Sequence, residues 1–104
     1  MLFRSLIKME IINEGVEYKL RNYEDKERFQ LLKFITKDAK GKIEDGTTTE
    51  EVLHVLISRV LALNRNRPNL NNRKVINNLR DALQALKDRK NEKIRKKADN
   101  TANS

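Results

Sequence analysis

The sequence predicts an α+β fold: short antiparallel strands on the amino-terminal side, then a long antiparallel helix hairpin. Three observations carry that reading. Residues 17–23 alternate apolar and polar side chains with two tyrosines, the period of a strand. Val52, Leu53, Leu56, Ile57, Val60 and Leu63 recur at the 3, 4 spacing of one helix face. A second such line, Val75, Ile76, Leu79, Ala82, Leu83 and Leu86, follows the only proline, Pro68.

Residues 1–15 show no clear period and are expected to be a flexible amino-terminal segment, with Met9 an alternative start to Met1. In Glu17-Tyr18-Lys19-Leu20-Arg21-Asn22-Tyr23, Tyr18 and Leu20 face one way and Lys19, Arg21 and Tyr23 the other. Phe29 to Thr36 has the length and composition of a second strand, and the polar stretch Glu24 to Arg28 connects the two. The simplest arrangement is an antiparallel pair within residues 17–36. Two strands are marginal in water, so they must lie on helices or pair with another chain. Lys37 to Gly46 is polar, with Gly41 and Gly46 as breakers.

Thr47 or Thr48, followed three residues later by Glu50 or Glu51, is a capping-box signature. It opens a first helix over about 48–66. Pro68 ends that helix, because the residue before a proline is pushed out of the helical region. The short connection favours antiparallel neighbours. Asn69, Asn71 or Asn72 can cap a second helix over about 70–95. Past Leu86 only Ile94 is a large apolar residue, so the last turns are solvated or lie on another chain, and residues 98–104 read as a disordered tail. Residues 16–97 are thus expected to form a single domain.

Composition excludes several chemistries. No cysteine is present, which removes disulfides, cysteine-based zinc sites and thiol nucleophiles, and which fits a reducing cytoplasm. No apolar run is long enough to cross a bilayer. The single histidine, His54, cannot anchor a metal site by itself. Three glycines at 15, 41 and 46 fit neither phosphate-loop pattern, and the adjacent acid pairs suit solvent or helix caps better than general acid–base work. The expectation is a non-enzymatic protein with no cofactor and no metal.

Charge placement points to binding instead. Residues 1–64 hold 11 Lys/Arg and 11 Asp/Glu, whereas residues 65–97 hold 12 Lys/Arg against Asp81, Asp88 and Glu92. The net charge of +8 therefore comes from the second helix and the turn before it. Such a segment attracts phosphates and polyanions. Its arginines offer a planar fork that matches phosphate and stacks on bases, and its asparagines offer the paired donor and acceptor that suit an adenine edge. Arg73, Asn77 and Arg80 lie on neighbouring turns of a helix, an arrangement that reads as nucleotide recognition.

The run Asp45-Gly46-Thr47-Thr48-Thr49-Glu50-Glu51-Val52-Leu53, then Val55-Leu56-Ile57-Ser58-Arg59-Val60, Leu63-Asn64 and Pro68, resembles the phage anti-Thoeris sponge proteins of the first type. The closing pattern Leu79, Ala82, Leu83, Leu86, Arg89 and the segments Tyr18-Lys19-Leu20, Asn22-Tyr23-Glu24 and Phe34-Ile35 extend the likeness over roughly residues 16–90. The resemblance implies a homodimer, or a hexamer built as a trimer of dimers. It implies sequestration, without cleavage, of glycocyclic ADP-ribose signals made by bacterial immune enzymes in the infected cell's cytoplasm. Some relatives also capture cyclic di- or trinucleotides, as the related anti-CBASS sponges do.

Carried over by position, Arg67 stands where the family has a stacking aromatic before the turn proline. A guanidinium plane also stacks on a base. Asn77 then stands as a polar contact, Arg89 or Arg95 as the late arginine contact, and Arg73 joins them as a phosphate ligand. The family's Arg-Glu-Asn run after the turn is Leu70-Asn71-Asn72 here, so only its asparagine is kept. The residues also support a different class, a small basic helix-hairpin protein that binds RNA or DNA.

Overall fold

Gly15 turns the chain between the first two strands, β1 (Glu10–Asn13) and β2 (Glu17–Arg21). Its φ of 79° is open to glycine and strained for other residues. The Val16 N–H closes the turn on the Asn13 carbonyl at 2.9 Å, which places Gly15 third of four, where a type II turn needs positive φ. The Tyr18 hydroxyl accepts the Gly15 N–H at 2.7 Å and ties the turn to the strand that follows. β1 pairs antiparallel with β2, with a bulge between Ile11 and Asn13, and β2 pairs antiparallel with β3 (Phe29–Lys33). The expected pair of strands is present, joined through Glu24 to Arg28. There the Asp25 carboxylate accepts the Glu27 N–H and the Asn22 N–H reaches the Arg28 carbonyl.

The computed structural model describes residues 9–102. It corrects two expectations. Within residues 1–15, Glu10–Asn13 form a strand rather than a flexible segment, because Ile11 and Ile12 add β-branched side chains to the free edge of β2; residues 1–8 lie outside the described part. The glycine-punctuated stretch after residue 36 holds a second hairpin, β4 (Thr36–Lys37) with β5 (Ile43–Glu44). Its turn has the Gly41 N–H on the Asp38 carbonyl at 3.0 Å, Gly41 at φ 86°, and the Asp38 N–H on the Lys42 carbonyl. This is a three-residue hairpin loop with glycine in the left-handed position. Asp38 Oδ1 braces it by accepting the Lys40 and Lys42 N–H groups at 2.9 and 2.8 Å.

The chain forms two compact units, one ending at Thr49 and the other beginning at Glu50. In the first unit every strand pairs with a neighbour in sequence, so it closes on itself. A parallel bridge between Phe34 and Thr47 ties its end back to β3. The Thr47 N–H donates to the Lys33 carbonyl at 2.8 Å and the Ile35 N–H to the Thr47 carbonyl at 2.9 Å. Gly46 lies so close to this strand that a Cβ would sit 2.5 Å from the Phe34 carbonyl carbon. Tyr18 and Phe34 meet edge to face, with ring centroids 6.2 Å apart.

The second unit is a hairpin-like pair of helices, α1 (Thr49–Asn66) and α2 (Leu70–Ala102). The start at Thr49 puts Thr48 at the N-cap and Glu51 three residues on, the spacing of the expected capping box. Of the three candidate caps for α2, Asn69 takes the position, and its Oδ1 accepts the Asn71 N–H at 2.7 Å. Ile57, Ile76 and Leu83 are the buried core among the described residues. α2 continues to Ala102, past the expected end at 95 and into the segment read as a disordered tail. Lys96 to Ala102 contains no glycine or proline to stop it.

Candidate ligand groove

α1 brings Leu61 and Asn64 to one flank of the helix seam, one turn apart. α2 brings Arg73, Ile76, Asn77 and Arg80 to the same flank over two turns. Together these six side chains line an open groove of about 340 Å³. Its floor is apolar, since Ile76 is only 5% exposed and Leu61 is half-buried. Its rim is polar and cationic: Arg73, Asn77 and Arg80 are all exposed. From Arg73 to Arg80 the helix rises about 10 Å, with Asn77 between them. Two long guanidinium side chains over that distance can close on one phosphate-bearing molecule from both ends.

The connecting turn orients the remaining polar group. Asn64 Oδ1 accepts the Asn69 N–H at 2.9 Å, which holds the carboxamide across the turn and leaves its NH₂ as the donor it can present to a ligand. The Arg67 N–H extends the α1 ladder by donating to the Leu63 carbonyl at 3.0 Å.

The residues singled out in the sequence separate into groups here. Arg73 and Asn77 line the groove. Arg67 lies in the turn, three residues beyond Asn64, and is exposed. Arg89 and Arg95 lie farther along α2 and do not line the groove of their own chain; Arg95 borders a shallow depression with Glu92, Lys96 and Asp99. Arg89 lies nine residues past Arg80, about 13 Å along the axis. Asn64 and Leu61 were not singled out as ligand contacts. Their signal was the helix face shared by Ile57, Leu61 and Asn64, which continues the apolar line one turn further. His54 is exposed on α1 and does not line the groove.

Among the described residues no cluster of histidine and carboxylates could hold a metal ion, and no helix is long and apolar enough to cross a membrane. No protein-family model matches the chain, and no curated protein matches it.

Proposed function

We propose that the protein is a non-enzymatic sponge that sequesters a cyclic ADP-ribose-type signal in the groove between α1 and α2, and so blocks bacterial Thoeris defence. The observation that carries this reading is the pairing of Arg73 and Arg80 around Asn77 above an apolar floor of Ile76 and Leu61. Two guanidinium groups neutralise two linked phosphates, the asparagine selects an adenine edge, and the apolar floor takes the base. The resemblance of residues 45–60 to the anti-Thoeris sponges points to the same ligand class.

A second copy of the chain completes the site in this proposal. A groove of about 340 Å³ open to solvent holds part of a dinucleotide-sized ligand rather than enclosing it. The opposite flank of the helix seam offers a surface for that copy. At about 100° per residue, Val52, Leu56 and Leu63 of α1 and Val75 and Ala82 of α2 fall on that flank, and Leu56, Leu63 and Val75 are each 43% exposed. Arg89 and Arg95, too far along α2 to serve their own groove, then become contacts to a ligand held by the partner chain. Assembly of such dimers into a hexamer is the larger form of the same proposal. Cyclic di- and trinucleotides are further ligands of the same chemistry.

The test is isothermal titration with 3′- and 2′-linked glycocyclic ADP-ribose, followed by denaturation and chromatography of the recovered ligand. Saturable binding, with intact ligand released, supports the proposal. Arg73→Ala and Arg80→Ala are each expected to weaken binding by about 10- to 150-fold, the loss of one hydrogen bond to a charged group. Cleaved ligand, or affinities unchanged in both variants, would overturn it.

A further inference from the structure

α1 has 18 residues and α2 has 33, so α2 is longer by about 22 Å. Burial follows that difference. Among the residues of α2 up to Asp99, Leu86 is the last that is even half-buried, and every residue from Lys87 to Asp99 is exposed. The face that upstream meets α1 does not stop at Leu86. Its line Ile76, Leu79, Leu83, Leu86 continues at the same 3, 4 spacing as Lys90, Lys93 and Lys97. The apolar stripe thus becomes a lysine stripe at the point where the helix loses its cover.

The charges around that stripe are sorted. At about 100° per residue, Lys87 flanks the lysines on one side and Arg89 on the other. Asp88, Glu92 and Asp99 gather on another face, away from the lysine row and bordered by Arg95 and Lys96. An amphipathic helix for a lipid surface needs an apolar face, and Ile94 is the only large apolar residue between Lys87 and Asp99. A protein partner would need apolar anchors for the same reason. Evenly spaced point charges on a projecting cylinder suit a regular row of phosphates.

We propose that the projecting end of α2 binds the phosphate backbone of duplex DNA by entering its major groove, through the row Lys90, Lys93 and Lys97 rather than through Arg89 and Arg95, which the proposed function assigns to a partner's ligand. An uncovered α-helix about 10–12 Å across fits the B-form major groove, whereas the A-form RNA major groove is too deep and narrow to admit it. The contacts are to phosphates, so binding is independent of sequence and weakens steeply with salt.

The experiment is fluorescence anisotropy of the full chain with a labelled 20-base-pair DNA duplex and the matching RNA duplex, from 50 to 200 mM salt. The Lys90→Ala/Lys93→Ala double variant is compared with Lys26→Ala/Lys40→Ala, which removes the same charge from exposed positions in the strand unit. The expected result is DNA binding stronger than RNA binding, with the slope of log affinity against log salt reduced by about 2 in the α2 variant. The strand-unit variant stays within about twofold of wild type, and titration with glycocyclic ADP-ribose is unchanged by the α2 substitutions. No DNA binding at 50 mM salt, or equal losses in the two double variants, overturns the proposal. RNA bound as well as DNA overturns the major-groove placement. None of these outcomes bears on the groove, which the nucleotide titration reads separately.

Discussion

Replacing Gly46 by alanine is expected to destabilise the strand unit more than its single methyl group suggests. The added Cβ would meet the Phe34 carbonyl carbon at 2.5 Å, the Ile35 nitrogen at 2.7 Å and the Lys33 carbonyl oxygen at 2.8 Å. All three are backbone atoms, so no rotamer change relieves the clash. The chain around Gly46 must move away from β3, and the movement strains two hydrogen bonds, Thr47 N–H to Lys33 and Ile35 N–H to Thr47. Overpacking costs about 1–3 kcal/mol, and each weakened bond adds on the order of 0.5–1 kcal/mol. A loss of about 2–5 kcal/mol corresponds to a fall in Tm of roughly 10–40 °C for a small domain. Gly15→Ala is the control. Its Cβ would meet nothing within 4 Å, so only the positive φ of 79° is penalised, at about 1–2 kcal/mol. Thermal melts followed by far-UV circular dichroism, read on the strand signal, compare the two. A Gly46→Ala protein that melts within 2 °C of wild type, or above Gly15→Ala, would refute the close-approach argument.

Asn69→Ala removes the side-chain oxygen that caps α2 and is expected to cost about 1 kcal/mol in urea denaturation, whereas Asn71→Ala, one turn position further in, costs less. Ile76→Ala leaves a cavity under the α1–α2 groove and is expected to cost about 2–5 kcal/mol, with a lowered urea midpoint at unchanged slope. Asp38→Ala removes two carboxylate hydrogen bonds from the exposed β4–β5 turn. The expected loss is about 1 kcal/mol, with faster amide exchange at Lys40 and Lys42 as its local sign.

The helices were legible because their signals are redundant. Periodic apolar residues, a threonine–glutamate start, a proline stop and an asparagine cap all place α1 and α2 within one residue of their observed starts. The carboxyl end of α2 was misread because polarity was taken for disorder. Nothing in Lys96 to Ala102 breaks a helix, and a helix already formed extends at small cost through such residues. β1 was missed because two isoleucines make too short an apolar run to register a period, although Asn13-Glu14-Gly15 ahead of a clear strand is a hairpin turn. β4 and β5 were missed for a related reason. Gly41 and Gly46 were both read as breakers, while one supplies a left-handed turn and the other a close strand contact. At the groove, Arg73 and Asn77 followed from helical spacing alone, as did their neighbour Arg80. Asn64 depends on a hydrogen bond across the turn to Asn69, a contact that periodicity does not encode.

The pairing of every element with its neighbour in sequence has a kinetic consequence. β1 meets β2, β2 meets β3, β4 meets β5, and α1 meets α2; the bridge from Phe34 to Thr47 closes a loop of only twelve residues. Such a chain searches little before its native contacts form, and low contact order of this kind accompanies folding in microseconds to milliseconds. Docking of one chain on another is a bimolecular step that slows with dilution. Under the proposal that a second copy completes the groove, the time from synthesis to a finished site is governed by how many copies are present rather than by how fast each one folds.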